Sequence, residues 1–247
     1  MKCLAIDTTT DISSIALVDE AGVLGEYNFA HQMDLSRRLM PNIVSLLKDC
    51  GLRVRDLEAI GVSLGPGSFT GLRIGVVTAK ILAHVLRIPI AGVVSLDLLA
   101  EQFSYLEQHI ICPLIRVRKG EVYHAFYQTC RGKIERMSNY EASPIQHVIE
   151  SSREILSSTS SAKSEPEQRL IFCGDGLPDN IETLTHALGE IAVFAPSWLS
   201  YPKASLIGAI ALERIRTGKA DDAMSLVPFY IRRSAPEVRM ESAQTPN

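Results

Sequence analysis

Apolar residues in this chain fall into short β-favouring runs and longer helical stripes, and the two kinds alternate in the same order twice. Cys3 to Ile6, Ile15 to Val18 and Val23 to Phe29 are short runs, separated by Asp7-Thr8-Thr9-Thr10-Asp11 and Asp19-Glu20-Ala21-Gly22. Turn-forming residues between such runs predict three strands joined by tight turns. Leu35, Leu39, Ile43 and Leu47 then recur at helical spacing, with Met40 and Val44 beside them, until Gly51. That predicts a helix ending on a glycine, with Pro41 as a candidate kink. Ala59 to Leu64 reads as a buried strand, Leu72 to Leu86 as a helix apolar on most faces, Ile90 to Val93 as a strand and Leu96 to Phe103 as a helix.

The order then returns. Ile110 to Val117, Glu121 to Gln128 and Lys133 to Met137 predict three strands, with turns at Arg118-Lys119-Gly120 and Arg131-Gly132. A helix is expected from about Ile145 to Leu156, a solvated Ser-rich loop to Gln168, and a strand at Leu170 to Cys173. A helix after Gly176, a strand near Ile191 to Phe194 and a helix around Ala204 to Arg216 complete the pattern. The reading is an α/β protein of two similar lobes, 1–105 and 106–200, each of βββαβα type. The helix at about 203–217 is expected to pack back on the first lobe, and 235–247 to form a disordered tail.

Composition narrows the function. The chain has 247 residues, 46% of them hydrophobic and 21% charged, with a formal net charge of −3. That is enough chain for a sizeable core, and the acidic balance argues against a broad basic face for nucleic acid. The five cysteines form no CxxC pair, so a reducing compartment is expected. The first apolar run stops at Asp7, too short for a signal segment, and a cytoplasmic location without membrane attachment is expected.

Two segments carry candidate chemistry. Gly65-Pro66-Gly67-Ser68-Phe69-Thr70-Gly71 lies between a strand and a helix, where unpaired amides favour an anion. It lacks the lysine of a Walker A loop, and Thr70 stands where GxGxxG needs glycine. A tight turn capped by Ser68 or Thr70 explains the same residues, so both readings stay open. Asp7, Thr8 and Thr9 end the first strand; they suit either Mg²⁺ and phosphate or an unliganded Asx turn. Their counterpart, Arg116-Val117-Arg118-Lys119-Gly120, has no carboxylate, so a site needing an acid from both halves is expected to be incomplete. The six histidines never pair at i, i+4, and no metal site is expected. Gly75, Ala79 and Ala83 make a smooth stripe that admits a neighbouring backbone, either of this chain or of a partner.

Leu4-Ala5-Ile6-Asp7-Thr8, the segment Gly65 to Gly75, Gly120-Glu121-Val122-Tyr123 and Pro228-Phe229-Tyr230-Ile231-Arg232 together resemble the bacterial TsaB (YeaZ) family across nearly the whole chain. The resemblance implies an actin-like ATPase fold (ASKHA, ribonuclease H-like). It also implies a role in making N6-threonylcarbamoyladenosine in tRNA, as accessory partner of the catalytic subunit TsaD, with the ATPase TsaE as a third member. In TsaD a G-V-N-H-x-x-x-H segment binds metal, whereas the comparable residues here are Gly92-Val93-Val94-Ser95-Leu96-Asp97-Leu98-Leu99. Ser95 and Leu99 replace the two histidines, and leucine cannot ligate a metal. Family members usually carry Asp-Ala-Arg where this chain has Arg116-Val117-Arg118.

The expectation is therefore a non-catalytic scaffold. Leu35, Leu39, Ile43, Leu72, Gly75, Val76, Ala79 and Ala83 are expected to meet TsaD, or a second copy of the chain when TsaD is absent, with tRNA touched only indirectly. No cofactor is required, though weak ATP or ADP binding at Asp7, Thr8, Thr9, Gly65, Gly67, Ser68 and Thr70 is compatible with the segment. The alternatives are an active ASKHA ATPase or small-molecule kinase and, with less support, a metallopeptidase.

Overall fold

The computed structural model describes residues 1–31, 34–159 and 168–231. In the first lobe, β1 (Cys3–Asp7), β2 (Ile12–Asp19), β3 (Gly22–Ala30), β4 (Ala59–Ser63) and β5 (Ile90–Val93) form a sheet of order β3-β2-β1-β4-β5. Strands β1, β4 and β5 run parallel, while β2 is antiparallel to both its neighbours. The alternation of side chains along β1 divides the lobe. Leu4 and Ile6 join the core beneath α1 (Leu35–Asp49) and α2 (Phe69–Leu86), and Cys3 and Ala5 face the other way.

The next helix, α3 (Ser95–Glu101), follows β5 in sequence but buries Leu96 and Leu99 against the second lobe. The boundary at 105 thus falls beyond a helix that already serves the other lobe. That lobe contains β6 (Ile110–Arg118), β7 (Glu121–His124), β8 (Tyr127–Cys130), β9 (Lys133–Arg136), β10 (Glu141–Pro144), α4 (Ile145–Thr159), β11 (Leu170–Cys173), α5 (Ile181–Leu188) and β12 (Ala192–Phe194). Its main path, β10-β7-β6-β11-β12, repeats the order of the first sheet. The last helix, α6 (Ala204–Arg216), covers the small-residue face of β1, β2, β4 and β5. Gly208 lets it sit so close that an added Cβ would lie 2.3 Å from Val18 Cγ2.

Several boundaries differ from the expected ones. The predicted strand Glu121 to Gln128 is broken at Ala125-Phe126 into β7 and β8, and Lys133–Arg136 pairs with β8 as a hairpin outside the main path. The third strand of the repeat is instead Glu141–Pro144, whose short polar sequence hid it. Helix α2 begins at Phe69 rather than Leu72, because Ser68 Oγ accepts from Gly71 N at 3.3 Å and caps it. Helix α4 runs to Thr159, into the serine run; 160–167 and the tail 235–247 lie outside the described residues. Among the described residues only α2 is long and apolar enough to cross a membrane, and here seven of its residues are buried, on the β4 side of its own lobe.

Candidate functional site

The end of β1 and the glycine turn before α2 are built as one unit. Thr8 Oγ1 donates to Gly71 O at 2.8 Å and Ser68 N donates to Thr9 O at 2.7 Å. A Cβ on Gly71 would stand 2.1 Å from Thr8 O, one on Gly67 2.3 Å from Thr9 O, and one on Gly75 2.2 Å from Thr8 Oγ1. The glycines therefore admit the chain's own hairpin. Thr8 and Thr9 are buried with their hydroxyls spent internally, the latter on Asp7 Oδ1 at 2.8 Å, while Ser68 and Thr70 are exposed. Gly65 bends the chain at φ +93°, a conformation glycine adopts without strain. Phe229, Tyr230 and Ile231 come from the far end of the described chain to line a small cavity with Pro66, Gly67 and Phe69. The structure thus unites Asp7, Thr8, Thr9, Gly67 and Gly71, but the turn's open side is taken by its own hairpin. A phosphate cradle does not fit that arrangement.

The acid missing from the second half is supplied elsewhere. Asp175, in the turn Gly174-Asp175-Gly176 after β11, accepts from Arg116 N at 2.9 Å and faces the first lobe. This corrects the expectation of an incomplete acid pair: the carboxylate sits after β11 rather than at the end of β6. The turn sequence Gly-Asp-Gly after an apolar strand was its signal. Asp7 is fully buried, and desolvation pushes its carboxyl up to about 7 against hydrogen bonds from Thr9 and Ser63, with Asp175 adding repulsion across the cleft. Asp175 is itself raised, chiefly by burial and further by Asp11. Between the lobes lies a cavity of about 320 Å³ whose walls include Asp11, Arg116, Asp175, Ile181 and Tyr201. Arg116 also pairs with Asp179 at 3.2 Å, so the cleft offers both signs of charge.

At the positions compared with a metal-binding pair, Ser95 is buried with its hydroxyl 2.8 Å from that of Ser63, and Leu99 belongs to the second lobe's core. Among the described residues no group of three His, Cys, Asp or Glu is placed to hold a metal ion.

The expected partner residues need correction. Leu35, Leu39, Ile43, Leu72, Gly75, Val76, Ala79 and Ala83 are all buried inside their own lobe. The reason is the close fit already described: the glycines of α2 receive the β1 hairpin, and the leucines of α1 lie in the same core. Beyond Phe69 at the start of α2, the apolar residues these helices leave to solvent are Met40 and Val44 on α1 and Val77, Ile81 and Val85 on α2, the last three more than half exposed. Their i, i+4, i+8 spacing was readable, but it is one of several apolar stripes on a helix apolar nearly all round.

Fold and cleft define a two-lobed α/β protein that repeats one sheet order in both lobes and whose glycine turn is closed on itself. The family model for TsaD, tRNA N6-adenosine threonylcarbamoyltransferase, matches residues 29–240. The chain is 33% identical to the tRNA threonylcarbamoyladenosine biosynthesis protein TsaB of Bacillus subtilis, over 99% of this chain and 100% of that protein. It is 35% identical to the Escherichia coli protein of the same name, over 52% of this chain and 55% of that protein. YeaZ from Pseudomonas aeruginosa shares the fold, with a TM-score of 0.72 at 23% identity over 93% of this chain and 99% of that one. The chain belongs to the TsaB (YeaZ) family of tRNA threonylcarbamoyladenosine biosynthesis proteins.

Proposed function

We propose that the chain is a non-catalytic scaffold in tRNA threonylcarbamoyladenosine synthesis, working in the cytoplasm and docking a TsaD-type catalytic subunit on the outer side of α1 and α2. The observation that carries this reading is the solvent-facing stripe of Val77, Ile81 and Val85 beside Met40 and Val44. Fully burying such side chains is worth roughly 1.5–3 kcal/mol each, and a contiguous exposed stripe marks an interaction surface. The same face serves a second copy when the catalytic subunit is absent, and a TsaE-type ATPase joins the assembled pair. TRNA is met through the partner. No cofactor is required, and ATP or ADP binds weakly, in the cleft lined by Arg116 and Asp175 rather than at the closed glycine turn.

Mass measurement in solution on a mixture with a TsaD-type subunit tests the docking face. Ile81→Arg is expected to abolish the complex while leaving the chain's own unfolding free energy within about 0.5 kcal/mol of the original. A complex of unchanged affinity overturns the proposed face. A second reading, an active ASKHA ATPase, is favoured by Asp11 and Asp175 lining the same cleft from different lobes, with Asp7 buried behind it. ATP turnover by the isolated chain, lost in Asp175→Asn, would replace the first reading with this one.

A further inference from the structure

The chain passes between lobes twice, at Val94 between β5 and α3 and again where 200–203 lead into α6. The two passages are stitched together. Gln102, just after α3, donates to Leu199 O and Tyr201 O at 3.4 Å, and Leu98 of α3 shares a core with Ile207 of α6. Ser95 N donates to Gly65 O at 2.8 Å, so the start of α3 is also held to the first lobe. Two bodies joined along one such seam keep a hinge rotation about it, the usual origin of domain closure.

A third link crosses the lobes without being a covalent connection between them. After α6 the chain runs along the first lobe: Asp221 bridges Ile90, Lys80 Nζ donates to Met224 O and Leu226 O at 3.1 and 2.7 Å, and Leu226 is buried in the first lobe's core. Phe229 N then donates to Leu64 O at 2.7 Å. From there the side chains turn to the second lobe. The Phe229 ring packs edge-on against Tyr140 at 5.2 Å, Tyr123 lines the same small cavity, and Ile231 packs against the second lobe's core. Tyr140 is itself fixed: its hydroxyl donates to Asp97 at 2.8 Å, Asp97 also accepts from Tyr127 at 2.7 Å, and Arg136 lies 4.0 Å over the Tyr140 ring.

We propose that residues 226–231 form a latch that sets the angle between the lobes, with Phe229 and Ile231 as the bolt and Tyr140, held by Asp97, as the keeper. Aromatic and aliphatic groups suit this task, since their contact strength depends on close fit and falls off within a fraction of an ångström of separation. The latch fixes the width of the cleft lined by Asp11, Arg116 and Asp175. The latch stands whether or not the outer side of α1 and α2 binds a partner.

Spin labels on the two lobes of the full chain test it. Cys50→Ser and Cys130→Ser remove the cysteines that are not fully buried, and Val23→Cys and Val193→Cys, both at exposed positions of different lobes, carry the labels. The latched chain is expected to give one narrow distance distribution. Phe229→Ala is expected to broaden it at least twofold, and Tyr140→Phe, which keeps the ring and loses its bond to Asp97, to broaden it less. If Phe229→Ala does not melt cooperatively, Lys80→Met, which frees the strap from α2 without touching the second lobe, takes its place. Distributions of equal width in the unaltered chain and in every variant that melts cooperatively overturn the latch.

Discussion

The two lobes share a sheet order and the device that lets their parts approach, but they place charge differently. In the first lobe a glycine turn after β4 presses on the end of β1, and in the second the turn Gly174-Asp175-Gly176 after β11 presses on β6. An added Cβ would meet Thr9 O at 2.3 Å in one and Leu114 O at 2.3 Å in the other. The buried acid behind the cleft comes from the end of the strand in the first lobe, Asp7, and the acid lining it in the second lobe comes from the turn, Asp175. Backbone approach is a hard steric requirement that only glycine meets, whereas a carboxylate serves the same cleft from any neighbouring element. A repeat can therefore keep its glycine turns and move its charges.

The sharpest break in that comparison is Gly71→Ala. The new Cβ would stand 2.1 Å from Thr8 O, a backbone atom of the hairpin just beyond β1, so either α2 or the hairpin must move. Alanine's better helix propensity returns about 1 kcal/mol, far less than the overpacking costs. A net loss of roughly 3–5 kcal/mol in urea unfolding is expected. Gly176→Ala, whose Cβ would lie 3.0 Å from Leu114 O, should cost about half as much. Equal losses would mean that the two turns are not under the same steric rule.

Next in size is the contrast between two faces of α2. Ala79 has no exposed surface and Ile81 is more than half exposed. Ala79→Arg puts a long charged side chain into the first lobe's core, an expected loss of more than about 4 kcal/mol. Ile81→Arg is expected to change thermal stability very little. This pair separates a folding residue from a surface residue two positions away, which the sequence alone did not.

That difference shows where the sequence was legible. The period of apolar runs located most strands and helices, because burial on one face imposes its period directly. Gly51, expected to end α1, stands just beyond it at φ +70°. Edges were harder: Glu141–Pro144 pairs with β7 through its backbone, with little apolar signal of its own. The glycine segment was legible as a turn opening a helix, but what fills it, Thr8 and Thr9 on one side and Phe229 to Ile231 on the other, depends on contacts between residues far apart in the chain. The small-residue stripe marked a close approach and left its direction undecided. Asp175 is marked in the sequence only by its Gly-Asp-Gly turn, because its neighbour across the cleft, Asp11, lies in the other lobe.

Asp7 in the first lobe and His124 in the second are buried groups shifted in opposite directions, and pH separates them. Asp7 has its carboxyl raised to about 7 by burial. Between about pH 4 and 7 the folded state holds a proton that the unfolded state has lost, so stability falls by up to about 1.4 kcal/mol per pH unit as pH rises. His124 in the second lobe, buried with Nε2 2.8 Å from Ser143 Oγ, is lowered to about 4 by desolvation. Between about pH 4 and 6.5 it is the unfolded state that holds the extra proton, so this group makes stability rise with pH. The two slopes oppose each other over most of that window. Asp7→Asn is expected to raise the unfolding free energy at pH 8 relative to pH 5 and expose the rising limb, and His124→Gln to expose the falling one. Parallel profiles in both variants would show that neither group titrates in this range.

The smallest effect isolates backbone conformation from contact. The first hairpin of the second lobe turns at Gly120, φ +75°, with nothing within 4 Å of where a Cβ would stand. The matching hairpin of the first lobe, between Asp7 and Ile12, has no glycine and is tied instead by side chains, Thr9 to Asp7 and Thr10 Oγ1 to Ile12 O at 2.8 Å. Gly120→Ala therefore meets no collision and costs only the left-handed conformation, about 1 kcal/mol in urea unfolding. Gly120→Asn should cost less, since asparagine tolerates that region. Set beside Gly71→Ala, the same chemical change then differs several-fold in cost, and that ratio measures how much of a glycine's requirement is a neighbour's backbone rather than its own torsion angle.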